Sequence, residues 1–371
     1  MKLTTAEFNR EVKSIYSQLL ACDFPSKMDK WIDKSDQLYF LALGKSSAHH
    51  SLKFYQQFEG QIKKGLAISL SSFEAPDNLN VFISSHPQLT SLSLEAGEIV
   101  VNFLQKIPPN AKLVVFISGG TSAMVEKLKN GFDQSQAQKL NARLLNSGLP
   151  IEEINKKRVE YSDLKAGGAL KYCQTGQLTV FVSSDIPSEQ YEIVGSSPFF
   201  KQGQSFPSRE LIFDAGRALD LLRLDATSLG VLSGPLDQYI SQFLTPLRNG
   251  LSVVAMGELG NKIEGTGVGG RCSHFVLVMA YHLFEKNCLQ LELTSLQKIV
   301  ISSIATDGMD GGEKVNAILW DWFDHQSLEI GECAQAIMEF NSHQFFRDHG
   351  RLIDGECSGV NFCDLYRINF L

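Results

Sequence analysis

Residues 113–123 read Leu-Val-Val-Phe-Ile-Ser-Gly-Gly-Thr-Ser-Ala. The unbroken apolar run from Leu113 to Ile117, with Val114 and Val115 adjacent, is the pattern of a strand buried on both faces. Such a strand belongs in a parallel sheet with helices on either side. Ser118, Gly119, Gly120, Thr121 and Ser122 follow at once. Two glycines let the backbone turn sharply and approach a ligand closely. Their N–H groups, with the hydroxyls, can cradle an anion where the next helix starts.

Four similar junctions occur elsewhere. Leu38 to Leu43 runs into Gly44, Lys45 and Ser46. Leu178 to Ser184 ends on Asp185. The run from Val253 passes Gly257 and Glu258, then Gly265, Gly267, Gly269 and Gly270, to Arg271. Ile299 to Ala305 leads to Asp307, Gly308, Asp310, Gly311 and Gly312. Small residues also serve plain strand-to-helix turns, and one junction alone would mean no more than that. Five of them, carrying Lys45, Asp185, Arg271, Asp307 and Asp310, point to a ligand site beyond the carboxyl ends of the strands.

Apolar runs at 38–43, 65–69, 80–85, 112–117 and 178–183 read as strands. They alternate with predicted helices at 47–58, 91–106, 134–146 and 209–223, which makes a mostly parallel α/β sheet. Thr4 to Glu7 forms a capping-box pattern, and Phe8, Val12, Ile15 and Leu19 continue it at helical spacing to about Leu20. A second set contains strands at 251–256, 298–305 and 365–371 and helices at 272–286 and near 330–340. The stretches 202–209 and 230–235 read as loops. The expected boundary lies within 225–250 and is drawn at 235/236, giving domains 1–235 and 236–371, with the first helix free to pack on the second.

The 371 residues carry a net charge of −7, which argues against nucleic acid or an anionic membrane as a partner. A small anionic substrate is compatible, because a local cluster of Lys and Arg outweighs an acidic surface. The first residues lack a signal peptide's apolar core, and no run approaches the roughly 20 apolar residues of a membrane span. Seven cysteines without a Cys-x-x-Cys pair read as reduced thiols. These features predict a cytoplasmic protein, monomeric or homodimeric. His49 and His50 point about 100° apart on a helix and do not share an ion.

Taken in order, the junctions resemble the type II glycerate kinases, a family with a glycerate-kinase N-terminal domain and a C-terminal MOFRL domain. The matching segments are LALGKSS at 41–47, Ser85-His86-Pro87, ISGGTSA at 117–123, and the series Ile151, Glu153, Asn155, Arg158, Ser162 and Lys165. Further matches are Ser184-Asp185, GEL at 257–259, GVGGR at 267–271, ATDGMDGG at 305–312, NSHQFF at 341–346 and SGVNFCDL at 358–365. Their order and extent carry the resemblance. Departures fall at polar positions: Cys272-Ser273-His274 stands where the family has Asn-Gln-Glu, and 356–360 is altered.

The resemblance implies a Rossmann-like parallel sheet plus a smaller α/β domain. It also implies transfer of the γ-phosphoryl of ATP, with Mg²⁺, to the 2-hydroxyl of D-glycerate or a similar small hydroxy acid, in a cleft between the domains. Such transfer depends on positioning and charge neutralisation. Lys45, Asp185 and Arg271 take the catalytic places: Lys45 on the migrating phosphoryl, Asp185 on the hydroxyl or the metal, Arg271 as a two-point clamp on an acid. Ser118, Gly119, Gly120, Thr121, Ser122, Arg158, Lys165, Glu258, Gly269, Gly270 and Asn361 take substrate and nucleotide, and Asp307 and Asp310 take metal. The alternatives are a helix cap for Asp185, turn formers for Asp307 and Asp310, a solvated helix face for Arg158 and Lys165, and a structural hydrogen bond for His86. Two other functions stay open: a catalytically weak metabolite-binding relative, suggested by the altered segments, and a phosphosugar isomerase. The changed 272–274 turn predicts a preference for a ligand other than plain glycerate.

Overall fold

A computed structural model describes residues 4–21, 28–145, 151–184, 191–201, 206–260, 265–355, 358 and 360–371. The chain divides into two compact units, 23–214 and 1–22 with 215–371.

The first unit holds β1 (Leu38–Leu43), β2 (Ile62–Ser69), β3 (Leu79–Ile83), β4 (Lys112–Ile117), β5 (Gln177–Ser183) and β6 (Ser208–Phe213). All pair in parallel, in the order β3-β2-β1-β4-β5-β6. This is the doubly wound order. Successive side chains alternate between faces, so Leu41 and Leu43 join one core with Val100 and Leu104 of helix Ser91–Gln105. Phe40 and Ala42 join another with Phe54 and Phe58 of helix Ser47–Phe58. The aromatic layer there is tight, with Phe40 stacked on Phe54 at 4.7 Å and Phe116 on Phe181 at 5.1 Å. Two covered faces explain why these strands read as continuous apolar runs.

The second unit holds β7 (Thr227–Pro235), β8 (Val253–Gly260), β9 (Ile299–Ala305), β10 (Val315–Asp321), β11 (Leu352–Asp354) and β12 (Asp364–Phe370). Their order is β11-β10-β9-β12-β8-β7. Only β7 and β8 pair in parallel; the sheet is otherwise antiparallel. Helix Arg271–Ala280 lies in its core through Phe275, Val276 and Met279. Helix Thr5–Leu20 belongs to this unit and buries Phe8, Val12, Ile15 and Leu19. The Thr4–Glu7 capping box is present.

The division falls at 214/215, ahead of the expected 235/236, because helix Ala215–Leu222 and β7 both pack on β8. The helix predicted over 209–223 is β6 followed by that shorter helix. β7, β10 and β11 lie where the spacing predicts no strand. The helix predicted over 272–286 is α-helical to Ala280 and widens to a π-turn at Tyr281–Glu285. Cys173, Cys272, Cys288, Cys333 and Cys363 form no disulfide. Among the described residues no helix is long and apolar enough to cross a membrane.

Candidate functional site

Strand order in the first unit reverses between β1 and β4. A doubly wound sheet opens a crevice there, at the carboxyl ends of the two strands. The turns leaving β1 and β4 are tied together. Lys45 donates its backbone N–H to the Gly119 carbonyl at 2.8 Å, and Ser46 donates to Ser118 Oγ at 3.0 Å. Ser118 Oγ donates in turn to the Leu43 carbonyl at 3.1 Å. Geometry requires both turn glycines. Gly44 has φ +106°, and a Cβ on it would lie 2.5 Å from Ser118 Oγ. Gly120 has φ +85°, and a Cβ there would meet Lys45 Cγ at 3.0 Å and His86 Cδ2 at 3.2 Å.

The N–H groups of Gly119 and Gly120 donate to no group among the described residues. The helix that follows, Thr121–Met124, is a single turn, so it adds little dipole. Anion-binding capacity at this loop therefore resides in the backbone donors and Lys45. Ser122 Oγ lies 2.7 Å from Ser196 Oγ, which donates to Asn155 Oδ1 at 2.7 Å. Ser196 and Ser197 hold left-handed φ values of 59° and 58°, a strain that collects at ligand sites.

Charge near the loop is positive. Burial, and then the neighbouring Lys45 and Arg158, push the His86 imidazole down to about 4, so it is neutral near pH 7. Arg158 is buried and donates from Nε and Nη2 to Asn141 Oδ1 at 3.2 and 3.1 Å. Burial lowers the Arg158 pKa, against the support of Tyr161 and Glu126. Lys165 is buried too, and its ammonium is held by the Glu126 carboxylate, which also accepts from Ser162 Oγ. The structure thus makes Lys165 half of an interior ion pair, where the sequence expectation gave it to a ligand. Neither the ligand role nor the solvated-face alternative anticipates a buried carboxylate partner. Asp185 lies outside the described residues.

The second unit gathers charge at one sheet edge. β8 and β9 flank β12 antiparallel to it, so the ends of β8 and β9 meet the start of β12: Asp364 pairs with Gly257 and Ala305. Arg271 opens helix Arg271–Ala280 and reaches that edge. Its Nε donates to Asp364 Oδ2 at 2.8 Å, and Nη1 lies 3.0 Å from Glu258 Oε1. Burial disfavours the charge, but Asp364 and Glu258 more than compensate and raise the Arg271 pKa. Its side chain remains 37% exposed against 5% for Asp364. Burial drives the Asp364 carboxyl up to about 7; Arg271 opposes this, while Asp310, Glu258 and Asp307 add to it. Asp364 is a residue the sequence reading misses. The available signal was a carboxylate at the start of an apolar strand, Asp364-Leu365-Tyr366.

The two aspartates expected to bind metal have other occupations. Asp310 is buried and accepts from the backbone N–H of Cys272 at 2.9 Å, from that of Ser273 at 3.0 Å and from His343 Nε2 at 3.0 Å. It caps the helix that begins at Arg271 from a distant loop. These donors outweigh its burial and hold its carboxyl below the usual range. Asp307 accepts from Met309 N–H at 2.9 Å, as a turn former does. Among the described residues, no group of three or more His, Cys, Asp or Glu side chains could hold a metal ion.

Gly269 and Gly270 sit against protein: a Cβ would fall 2.3 Å from Ser342 Oγ at the first and 2.0 Å from Asp310 Oδ1 at the second. Asn361 is buried and accepts from Cys363 N–H at 3.1 Å. Cys272, Ser273 and His274 are buried, His274 against Phe340 with ring centres 5.0 Å apart. Cys272 and Ser273 therefore face packing, whereas His274 also lines a cavity with Gly234, Pro235, Leu236 and Val278.

Residues 6–220 match the family described as domain of unknown function DUF4147, and residues 251–364 match the MOFRL family. A D-glycerate 2-kinase from Thermotoga maritima is 22% identical, covering 89% of this chain and 90% of its own length. A glycerate 2-kinase from Sulfurisphaera tokodaii is 25% identical, with 88% of each chain covered. The crystal structure of a glycerate kinase from Thermotoga maritima superposes with a TM-score of 0.81 at 19% identity, covering 98% of this chain and 100% of that one. That likeness establishes the fold.

Proposed function

Because the chain belongs to the family that joins a DUF4147 domain to a MOFRL domain, we propose that it is an ATP-dependent kinase of D-glycerate or a similar small hydroxy acid. The observation that carries this reading is the tie between Lys45 and Gly119 at the point where the sheet order reverses. There a cation and open backbone donors share one strand-end crevice, which suits the phosphates of a nucleotide. Gly44 and Gly120 let the two turns pack this closely, since a Cβ on either would press on Ser118 or on Lys45 and His86.

Bound ATP would supply the γ-phosphoryl group. The N–H groups of Gly119 and Gly120 hold phosphate oxygens, and Lys45 offsets the charge that builds on the group in transit. His86, being neutral, does not compete with Lys45 for the anion and can only donate or accept a hydrogen bond. In the second unit Arg271, fixed by Asp364 and Glu258, takes the carboxylate of the acceptor. Asp307 and Asp310 do not fit Mg²⁺, since both carboxylates already serve backbone donors, and no step is assigned to a metal ion.

The test is ADP release by the purified protein with ATP and, one at a time, D-glycerate, L-glycerate and larger hydroxy acids, with and without Mg²⁺. The expected result is acceptor-dependent ADP release with a phosphorylated acid as product. ATP turnover that ignores every acceptor, or none at all, overturns the reading.

A further inference from the structure

Arg271 stands at the first position of its helix, where the dipole disfavours a cation. A guanidinium kept there needs carboxylate support, and the support is layered. Asp364 Oδ2 accepts Arg271 Nε–H at 2.8 Å and also the Tyr366 hydroxyl at 3.1 Å. The same hydroxyl accepts the Leu259 backbone N–H at 3.2 Å. Leu259 adjoins Glu258, which holds the Nη1 side of the guanidinium. Asp364 and Tyr366 are two apart on β12 and so share a face of the strand. Both are buried. The ring of contacts closes on β8: Glu258, Arg271, Asp364, Tyr366, and back to Leu259.

We propose that Asp364 and Tyr366 are positioning residues that hold the Arg271 guanidinium in one orientation, presenting its Nη2 edge to the carboxylate of the acceptor. The acceptor part rests on the role given to Arg271 above. The bracing part stands on the geometry alone. Nε–H and one Nη1–H are engaged by Asp364 and Glu258, and Nη2 makes no hydrogen bond among the described residues. A planar fork fixed along one edge can meet a carboxylate with the other at little further cost in side-chain freedom. Tyr366 makes no hydrogen bond to Arg271 among the described residues. It acts by pinning the Asp364 oxygen on which Nε–H rests.

Tyr366→Phe removes one hydroxyl from the ring of contacts and keeps the aromatic packing against Phe275. In this variant the KM for the hydroxy acid should rise about tenfold, the worth of a charge-assisted hydrogen bond, with the KM for ATP unchanged. A purely structural role would instead lower the active fraction and leave both KM values alone. A second readout is independent of activity. The Arg271 Nε–H proton, assigned through Arg271→Lys, should exchange slowly with water in the natural protein and several-fold faster in Tyr366→Phe and Asp364→Asn. Unchanged exchange in both variants overturns the brace. Faster exchange with an unchanged hydroxy-acid KM supports the brace and overturns its service to the acceptor. A natural protein inactive on every hydroxy acid overturns the functional reading, and the exchange rates still decide the brace.

Discussion

The backbone N–H of Lys45 rests on the carbonyl of Gly119, 2.8 Å away, and this bond joins the end of β1 to the end of β4. The side chain of Lys45 is thereby held against Gly120, whose missing Cβ leaves room for Lys45 Cγ. Lys45→Ala should lower kcat by about 100-fold or more, as loss of a charge-stabilising group does. Unfolding free energy should change by less than about 1 kcal/mol. Steady-state kinetics beside urea unfolding check both, and full activity in the variant would remove Lys45 from the reaction.

Gly120→Ala tests the same crevice by filling it. A side chain at φ +85° is strained by about 1 kcal/mol, and here it also pushes on Lys45 and His86. Turnover should fall much further than stability. A variant that loses about 1 kcal/mol and keeps its turnover would show that the crevice beside Lys45 is not used.

Lys165 should behave in the opposite way. Lys165→Met leaves the buried Glu126 without its cation, which costs about 3–5 kcal/mol. Adding Glu126→Leu should recover much of that loss. If Lys165→Met instead keeps its stability and loses ligand affinity, Lys165 contacts ligand after all.

These contrasts mark what the residues disclosed in advance. Strands such as β1, β4 and β5 are legible because two covered faces demand unbroken apolar runs. β6 carries Ser208, Arg209 and Glu210 at a sheet edge and merges in sequence with the helix after it. β7 contains Gly230 and Gly234 and imitates a loop. The Lys45 and Ser118–Ser122 turns are legible because glycine, hydroxyl and lysine cluster beyond a strand. Asp310 is not, since one carboxylate serves equally as turn former, ligand or cap. Its partners Cys272 and Ser273 stand 38 and 37 residues away. Glu126 and Asp364 are missed for a related reason: an interior carboxylate acquires meaning only from the cation that folding delivers to it.

Asp310→Ala should therefore read out as a lost cap. Two backbone donors at the helix start and His343 lose their acceptor, at about 2 kcal/mol or more. The Mg²⁺ concentration that half-saturates activity should not move. A large rise in that concentration with unchanged melting would return Asp310 to the metal.

Stability should rise between pH 4 and 6.5. Burial holds His49, His50, His86 and His274 at about 4, 3, 4 and 4, below the ordinary 6.5. The unfolded chain therefore binds protons first as pH falls, so their contribution is full above 6.5 and is lost toward 4. Asp364, raised from 3.8 to about 7, works the other way: its contribution is full below 3.8 and is lost as pH rises through 7. Four imidazoles outweigh one carboxyl in this window. Urea midpoints at pH 5 and 6.5 check the sign, and a higher midpoint at pH 5 would contradict it.

Helix Thr5–Leu20 packs with strands far along the chain: Glu11 meets Arg367 at 2.6 Å and the Tyr16 hydroxyl meets the Ala305 carbonyl at 2.6 Å. On the ribosome this helix is made before residues 23–214, and the strands that receive it are made after them. Its stripe of Phe8, Val12, Ile15 and Leu19 must wait in water while residues 23–214 complete their own sheet. The nascent protein thus carries an uncovered apolar helix until those strands emerge. That makes the N-terminal segment a natural place for a chaperone to hold, and a hazard for aggregation wherever translation stalls before β12.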